Sequence, residues 1–166
     1  MTFSVRPART SDVRAIQRLI DPLVQRNILL GKESVVFYEG IQEFLIAEDE
    51  NGNAIGCGAL HVMWEDLAEV RTLAVEESWL RRGVGHAILD GLEQKAVSLG
   101  IRRLFCLTFE VEFFSKHDFR EMSEMPMSPE LFAELARSAD EGVAEFLDLS
   151  RVKANTLGNT RMLKNL

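Results

Sequence analysis

The sequence predicts an α+β fold, with a central, mixed, mostly antiparallel sheet flanked by helices, on three observations. Strand and helix patterns follow in the order β-α-α-β-β-β-α-β-α-β. Asn51-Gly52 between two apolar strands is a strong hairpin signal and favours antiparallel pairing. The strand ending at Val75 reaches the strand starting at Leu104 through a helix, which is the connection typical of a parallel pair.

Length and composition indicate one soluble globular domain over residues 1–166. Of the 166 residues, 46% are hydrophobic and 27% are charged, which is ordinary for a domain with a sizeable core. The net charge of −7 disfavours nucleic-acid binding, because that needs a broad basic face. No apolar run approaches the roughly 20 residues of a membrane span, and the N-terminus lacks a signal-peptide core. We therefore expect neither a nucleic-acid nor a membrane partner.

The two cysteines point to a reducing compartment. Cys57 and Cys106 both lie in apolar runs typical of strands. Buried, reduced thiols are typical of cytosolic proteins, so a cytoplasmic location with free thiols is expected. A disulfide between them is the less favoured alternative.

The N-terminal segment carries a strand and two helices. Phe3–Arg6 alternates as a short strand, and Thr10-Ser11-Asp12 offers an N-cap before apolar residues at helical spacing. Pro22 is expected to break or bend this first helix. Residues 34–41 are expected to form the second.

The hairpin follows, with strands predicted at Glu43–Glu48 and Ala54–Met63. In the second of these, Gly56 and Gly58 leave one face without side chains. Such a face indicates the close approach of another chain or a ligand.

The remaining elements are read from apolar periodicity and turn residues. After the strand Leu67–Val75, a helix with apolar spacing runs to Gly100, and Leu104–Leu107 is a buried strand. The later predictions are a short helix with Phe109, Phe113 and Phe114, a strand from Phe119, a capped helix at Ser128-Pro129-Glu130, a loop at 155–159 and a final strand Thr160–Lys164.

The most informative segment is the turn Arg81-Arg82-Gly83-Val84-Gly85, between an apolar strand and a helix. Backbone N–H groups at a helix N-terminus suit a phosphate or pyrophosphate, and glycines let the main chain approach it closely. Arg81 and Arg82 are placed to meet phosphate oxygens as well. The amides of residues 82–86 are therefore the predicted anion cradle.

This turn resembles the GNAT superfamily of N-acetyltransferases, in which Arg/Gln-x-x-Gly-x-Gly/Ala opens a helix that binds the pyrophosphate of acetyl-CoA. Gly83-Val84-Gly85 fits, but the first position of the motif falls on Leu80. Arg81 or Arg82 is the expected replacement. The resemblance places acetyl-CoA where the strand with Leu73–Val75 splays from the strand Leu104–Leu107. The implied cofactor-binding residues are Leu73, Ala74, Val75, Arg81, Arg82, Gly83, Val84, Gly85, His86 and Phe114, with the N–H groups of Leu73 and Ala74 at the thioester carbonyl.

A narrower resemblance covers nearly the whole chain. The segments 44–48, 56–60, 68–75, 104–108 and 112–114 resemble the acetyltransferase domain of N-acetylglutamate synthases. The segments 143–150 and 155–163 resemble the short, single-domain actinobacterial type. The resemblance implies acetyl transfer from acetyl-CoA to L-glutamate, the first step of arginine biosynthesis, without a metal. Dimers are common in the superfamily, so a homodimer is compatible with it, although the sequence shows no interface.

Glu69 is the candidate general base, acting directly or through a water. It lies in an otherwise apolar strand, where partial burial raises a carboxyl pKa and suits it to accept a proton. Alternation places Glu69, Arg71 and Leu73 on one face of the strand. The alternative is an ordinary ion pair between Glu69 and Arg71.

The departing thiolate needs a proton, which many GNAT enzymes supply from a tyrosine. Phe114 occupies the matching position here, and the only tyrosine, Tyr38, is far away in the sequence. Thr108, at the end of its strand, resembles a hydroxyl position of glutamate-acetylating relatives. Its simpler role is to cap the following helix.

A glutamate substrate brings two carboxylates and needs fixed cations. The resemblance implies Lys32 and the pair Thr160 and Arg161 as substrate-binding residues, with Arg71 as a further candidate. For each charged residue, the alternative is a solvated surface position. The three histidines show no metal-ligand spacing, so no metal is expected.

Two alternatives to glutamate acetylation stay open. One is the same reaction on L-glutamine or another small amine, since a carboxamide in place of a carboxylate costs only about 1–3 kcal/mol at an unpaired cation. The other is a non-catalytic module that senses acetyl-CoA. The missing tyrosine and Leu80 favour the sensor, and Glu69 disfavours it.

Overall fold

A computed structural model describes residues 2–122, 128–147 and 158–166. Its centre is a seven-stranded sheet. In spatial order, the strands are β1 (Phe3–Pro7), β2 (Phe44–Asp49), β3 (Ala54–Trp64), β4 (Leu67–Val75), β5 (Arg103–Thr108), β7 (Thr160–Asn165) and β6 (Arg120–Glu121). β4 and β5 pair in parallel, whereas β1–β2, β2–β3, β5–β7 and β6–β7 pair antiparallel. The predicted α+β class and the mixed, mostly antiparallel sheet are confirmed.

The chain divides into two compact units. The first contains Met1–His61 and Val70–Leu99, and the second contains Val62–Glu69 and Gly100–Leu166. The strands β3 (Ala54–Trp64) and β4 (Leu67–Val75) contribute residues to both. The single-domain interpretation stays a prediction.

The first unit holds the first two strands of the chain and the two longest of the described helices. Its elements are β1 (Phe3–Pro7), α1 (Val13–Gln25), α2 (Ser34–Glu39), β2 (Phe44–Asp49) and α3 (Val84–Ser98). One buried cluster joins the apolar face of α1 to the strands through residues such as Ile16, Ile46 and Ala59. The apolar spacing read from the sequence therefore marks the true inner face of α1.

Helix α1 starts at the predicted cap, whereas its end differs from the prediction. The helix runs through Pro22 to Gln25, so Pro22 does not break it. Pro22 lies in the last turn and is exposed, where a missing N–H costs a single intrahelical bond. At the start, Asp12 occupies the N-cap position without a side-chain cap bond.

The carboxylate of Asp12 instead fastens β1. It accepts two hydrogen bonds from the Arg6 guanidinium, at 2.8 and 3.0 Å, and one from the N–H of Arg9 at 2.6 Å. The Arg6 guanidinium lowers the pKa of Asp12 below its usual value. Arg6 also donates to Glu48 on β2 at 2.7 Å, so a planar cation ties two strands to the first helix.

Helix α3 is seated on the sheet through glycines. A Cβ added at Gly58 would lie 2.7 Å from Ile88 Cγ2, and one at Gly56 would lie 2.9 Å from Ile88 Cδ1. A Cβ at Gly91, on the helix itself, would lie 2.8 Å from Leu45 Cδ1. The bare face of β3 is thus covered by a helix of the same chain, and not by another chain or a ligand.

The second unit is built on β5 and β7. Its elements are β5 (Arg103–Thr108), α4 (Val111–Ser115), β6 (Arg120–Glu121), α5 (Pro129–Leu135), α6 (Glu141–Leu147) and β7 (Thr160–Asn165). The rings of Phe105 and Phe146 meet edge-on at 5.1 Å in its core. The Ser128 hydroxyl caps α5 by accepting from the N–H of Leu131, as predicted.

Helix α6 was not predicted from the sequence. Residues 155–157 of the predicted loop at 155–159 lie outside the described residues. So do residues 148–150 and 155–157 of the segments 143–150 and 155–163, on which the resemblance partly rests. Among the described residues, no helix combines the length and apolar character that crossing a membrane requires.

Candidate active site

The glycine turn has the predicted strand–turn–helix geometry. β4 ends at Val75, and α3 begins after Gly83, which is its N-cap residue with a φ of +84°. The first helical bond runs from the N–H of Ala87 to the carbonyl of Gly83 at 3.0 Å. The N–H groups of Val84 and Gly85 therefore lie in the turn that has no intrahelical acceptors.

The backbone of the turn is left-handed at two points. Arg81 has a φ of +61° and Gly83 a φ of +84°. Glycine adopts this conformation without cost, whereas an arginine there is uncommon. Arg81, Arg82, Gly83 and His86 are exposed and Val84 is buried, so the side facing solvent carries the two cations and the helix start.

Leu80 stands where the motif of the resembling family has Arg or Gln. The residue is 53% exposed, on extended backbone before the turn. The turn therefore forms without a polar side chain at this position. The guanidinium of Arg82, two residues later, has its Cζ 5.5 Å from the centroid of the Trp79 ring. Replacement of the motif's cation by Arg81 or Arg82 stays a prediction.

The second half of β4 is irregular. Thr72 has a φ of +57°, which is a genuine outlier for a β-branched residue. The regular pleat does not extend through Thr72. Strand alternation therefore does not place Leu73 on the same face as Glu69 and Arg71, and that prediction is wrong. The carbonyl of Thr72 accepts a weak bond from Cys57 Sγ at 3.5 Å.

The two candidate oxyanion donors, the N–H groups of Leu73 and Ala74, lie in residues that differ in burial. Ala74 is buried, and its N–H interacts with the sulfur of Cys57. Leu73 is half-buried. Leu73 is therefore the better candidate for a contact with the thioester carbonyl. Burial raises the pKa of the Cys57 thiol to about 12, so the sulfur beneath this strand stays protonated.

Glu69 lies in the first half of β4, where the strand is regular. It is only 5% exposed and pairs with Phe105 in the parallel register of β4 and β5. Burial and the charge of Glu69 both raise the pKa of the Cys106 thiol. Glu69 also has an interaction partner, as a buried carboxylate requires.

Thr108 lies at the end of β5, two residues before Glu110, which is the N-cap residue of α4. Thr108 therefore does not cap the helix, so the simpler interpretation of its role is wrong. Its Oγ1 instead accepts a hydrogen bond from the N–H of Glu110 at 2.7 Å, in a local turn between strand and helix. This bond uses a lone pair of the hydroxyl and leaves its proton for another acceptor. The turn bond and a proton-donating role are therefore compatible.

The structure brings Thr108 together with the predicted substrate-binding segment. Thr108 pairs with Thr160 in the antiparallel register of β5 and β7, and Leu107 pairs with Arg161. Directly opposite residues in such a ladder have Cβ atoms about 4.5–5.5 Å apart. The two hydroxyls thus share one face at the end of this strand pair, whereas alternation places Arg161 on the opposite face.

The other predicted side chains occupy diverse settings. Phe114 is buried and packs edge-on against Phe113 and Phe119, each at 5.1 Å. Lys32 is exposed in the segment between α1 and α2, and Arg71 is half-buried. Both of these cations have interaction partners.

A hydrogen bond of His61 had no counterpart in the sequence predictions. His61 Nδ1 lies 2.6 Å from Glu43 Oε1, and this contact joins β3 to the short turn before β2. Nothing in the sequence marked Glu43 as the partner of His61, because the hairpin separates the two residues along the chain.

Comparison with known proteins identifies the family. The sequence profile of the acetyltransferase (GNAT) family matches residues 20–120, which is more than half of this chain. The chain belongs to the GNAT acetyltransferase family. The expected fold and the N-acetyltransferase class are confirmed with it.

A relative that matches over nearly its whole length has a more specific name than the family. The amino-acid acetyltransferase of Mycobacterium tuberculosis (strain ATCC 25618 / H37Rv) is 55% identical over 161 residues, which are 96% of this chain and 92% of the relative. The similarity therefore extends well beyond the part that the family profile matches.

Two solved structures of this fold were obtained with coenzyme A. The structure of Rv2747 from Mycobacterium tuberculosis in complex with CoA and NLQ has a TM-score of 0.92 at 53% identity, and covers 98% of this chain and 99% of that one. N-acetylglutamate synthase from Neisseria gonorrhoeae, complexed with coenzyme A and N-acetyl-glutamate, has a TM-score of 0.79 at 27% identity. The GNAT chain described here spans 35% of that longer protein.

Proposed function

We propose that this GNAT enzyme transfers the acetyl group of acetyl-CoA directly to the α-amine of L-glutamate, and so catalyses the first step of arginine biosynthesis. The observation that carries the proposal is the 55% identity to an amino-acid acetyltransferase over 96% of the chain. Structures of two relatives with coenzyme A support acetyl-CoA as the donor. L-glutamine and other small amines are the competing acceptors.

The turn before α3 fits the phosphates of the donor. Gly83 has no atom within 4 Å of an added Cβ position, so the backbone is open on that side. The helix start supplies N–H donors, and Arg81 and Arg82 supply charge. We assign the pyrophosphate to this turn.

The chemical step is nucleophilic addition followed by elimination. The amine nitrogen attacks the thioester carbonyl, the C–N bond forms, the C–S bond breaks, and CoA leaves as a thiol. Glu69 is the proposed base that takes the proton from the amine, directly or through a water. An N–H near Leu73 is the proposed donor to the oxyanion.

The hydroxyl of Thr108 is proposed to relay a proton from a water molecule to the departing sulfur: it donates its own proton and takes one from the water. It is buried, and its one described bond leaves the hydroxyl proton for donation. A CoA thiolate is a tolerable leaving group, so no tyrosine is required. Lys32, Arg71, Thr160 and Arg161 are proposed to bind the amino acid, with the cations at its carboxylates.

Release of free CoA, measured with a panel of amines, tests the proposal. The panel holds L-glutamate, L-glutamine, L-aspartate, a short peptide and an aminoglycoside. We expect the largest kcat/KM with L-glutamate and a smaller value with L-glutamine. Release only with the peptide or the aminoglycoside would contradict the amino-acid substrate.

The same assay addresses the sensor alternative. A protein that binds CoA, yet releases no CoA from acetyl-CoA with any amine of the panel, would be a non-catalytic acetyl-CoA-binding module.

We further propose a cytoplasmic, single-domain enzyme without membrane or nucleic-acid partners. Cell fractionation tests the location, and sedimentation at equilibrium tests whether it forms a homodimer.

A further inference from the structure

We propose that Trp79 is a positioning residue for the cofactor, because it holds the guanidinium of Arg82 in the orientation that binds a phosphate of coenzyme A. The proposal rests on the assignment of acetyl-CoA to the turn before α3. It adds a residue outside the glycine motif that acts through another side chain.

Trp79 is itself firmly held. It ends the short 3-10 turn Glu77–Trp79 and is only 7% exposed. Its ring meets the ring of Phe3 on β1 nearly edge-on, with centroids 6.3 Å apart and an angle of 85° between the planes. Such edge-to-face pairs are favourable, so the indole is a fixed platform.

Arg82 lies over this platform. Its Cζ is 5.5 Å from the centroid of the Trp79 ring, which is within the range of a cation–π contact. A cation–π contact uses the charge of the guanidinium, whereas hydrogen bonds to oxygens use its N–H groups. The contact with Trp79 therefore restrains the side chain and consumes none of its N–H donors.

Arg82 also lies directly before the start of α3. The next residue is Gly83, the N-cap of α3, and Val84 and Gly85 form the first turn. A phosphate at this helix start meets backbone donors and, one residue earlier, a positioned cation. Because a free arginine side chain has many rotamers, fixing it beforehand lowers the entropic cost of binding.

The role of Trp79 is tested by a double-mutant cycle on the affinity for CoA, measured by titration calorimetry. We expect Arg82→Ala to weaken binding about fivefold and Trp79→Leu about threefold. Since Trp79 acts through Arg82, the double variant should bind no more weakly than Arg82→Ala alone. Penalties that multiply in the double variant would overturn the proposal.

Two further variants guard against a loss of folding. Trp79→Phe keeps an aromatic face and should stay near the wild-type affinity. Arg82→Lys keeps the charge but lacks the flat guanidinium, so it should bind almost as weakly as Arg82→Ala. Wild-type affinity in Arg82→Lys would contradict the proposal, and thermal melting of each variant shows whether it is folded.

The phosphate is identified by repeating the titration with dephospho-CoA, which lacks the 3′-phosphate. If Arg82→Ala then has no effect, Arg82 binds the 3′-phosphate; if the penalty persists, it binds the pyrophosphate. No penalty with either ligand would refute the inference. A wild-type protein that binds CoA but acetylates no amine would contradict the proposed function alone, because the cycle depends only on binding.

Discussion

The turn before α3 and the end of the β5–β7 pair represent two kinds of candidate site. The turn is made of backbone N–H groups and one arginine in cation–π contact with Trp79, all within the short segment Trp79 to Gly85. The strand pair presents side chains, with Thr108 opposite Thr160 and Leu107 opposite Arg161. A backbone site depends on local conformation, whereas a side-chain site depends on register between distant segments. The two should therefore respond differently to substitution.

The largest expected effect belongs to Glu69, whose side chain is the proposed base. Glu69→Gln should lower kcat by about 10²–10⁴, because the amide does not accept the proton. Glu65→Gln is the matched control, since Glu65 is an exposed carboxylate just before the same strand. A loss of turnover below about threefold in Glu69→Gln would remove Glu69 from the mechanism.

Gly58→Ala tests the packing beneath the backbone site. The new methyl group would lie 2.7 Å from Ile88 Cγ2, and Ile88 is fully buried. We expect the free energy of unfolding to fall by about 1–3 kcal/mol, as in other overpacked cores. Urea denaturation measures it, with Gly31→Ala as the control in an exposed segment. Equal stability of the two variants would show that α3 shifts easily on the sheet.

Thr108→Val separates the two roles of the hydroxyl. Loss of the bond to the N–H of Glu110 should cost about 1 kcal/mol of stability. A further fall in kcat, with KM nearly constant, is expected if the hydroxyl also donates the proton. Thr108→Ser should restore both quantities. A Val variant that is less stable but turns over normally would leave Thr108 only the turn-stabilising role.

Gly83→Ala is expected to have the smallest effect, and it has a close control. Gly83 and Gly52 have φ values of +84° and +79°, and neither has an atom within 4 Å of an added Cβ. Alanine should cost about 1 kcal/mol at each position, because both are left-handed. Only Gly83→Ala should also weaken CoA binding, by a few-fold in calorimetry. Similar CoA affinities in the two variants would argue against an anion at the turn.

This contrast also explains what the sequence reveals. The strand–turn–helix around Gly83 follows from local rules, and β4 has the bounds predicted for it. The approach of α3 to Gly56 and Gly58 had a signal, but nothing in the sequence showed which segment fills the space. Long-range contacts such as His61 with Glu43, and the left-handed Thr72, had no local signal. Both result from tertiary packing, which overrides strand propensity and alternation.

The buried cysteines have a practical consequence. Cys57 and Cys106 are the only two cysteines of the chain, both are buried, and burial raises the pKa of each. Since the thiolate is the reactive form, a chromogenic disulfide reagent should react with released CoA long before it reacts with the folded enzyme. The assay background is then low, and slow labelling of the protein reports opening of its core. The same two thiols thus form a built-in probe of unfolding.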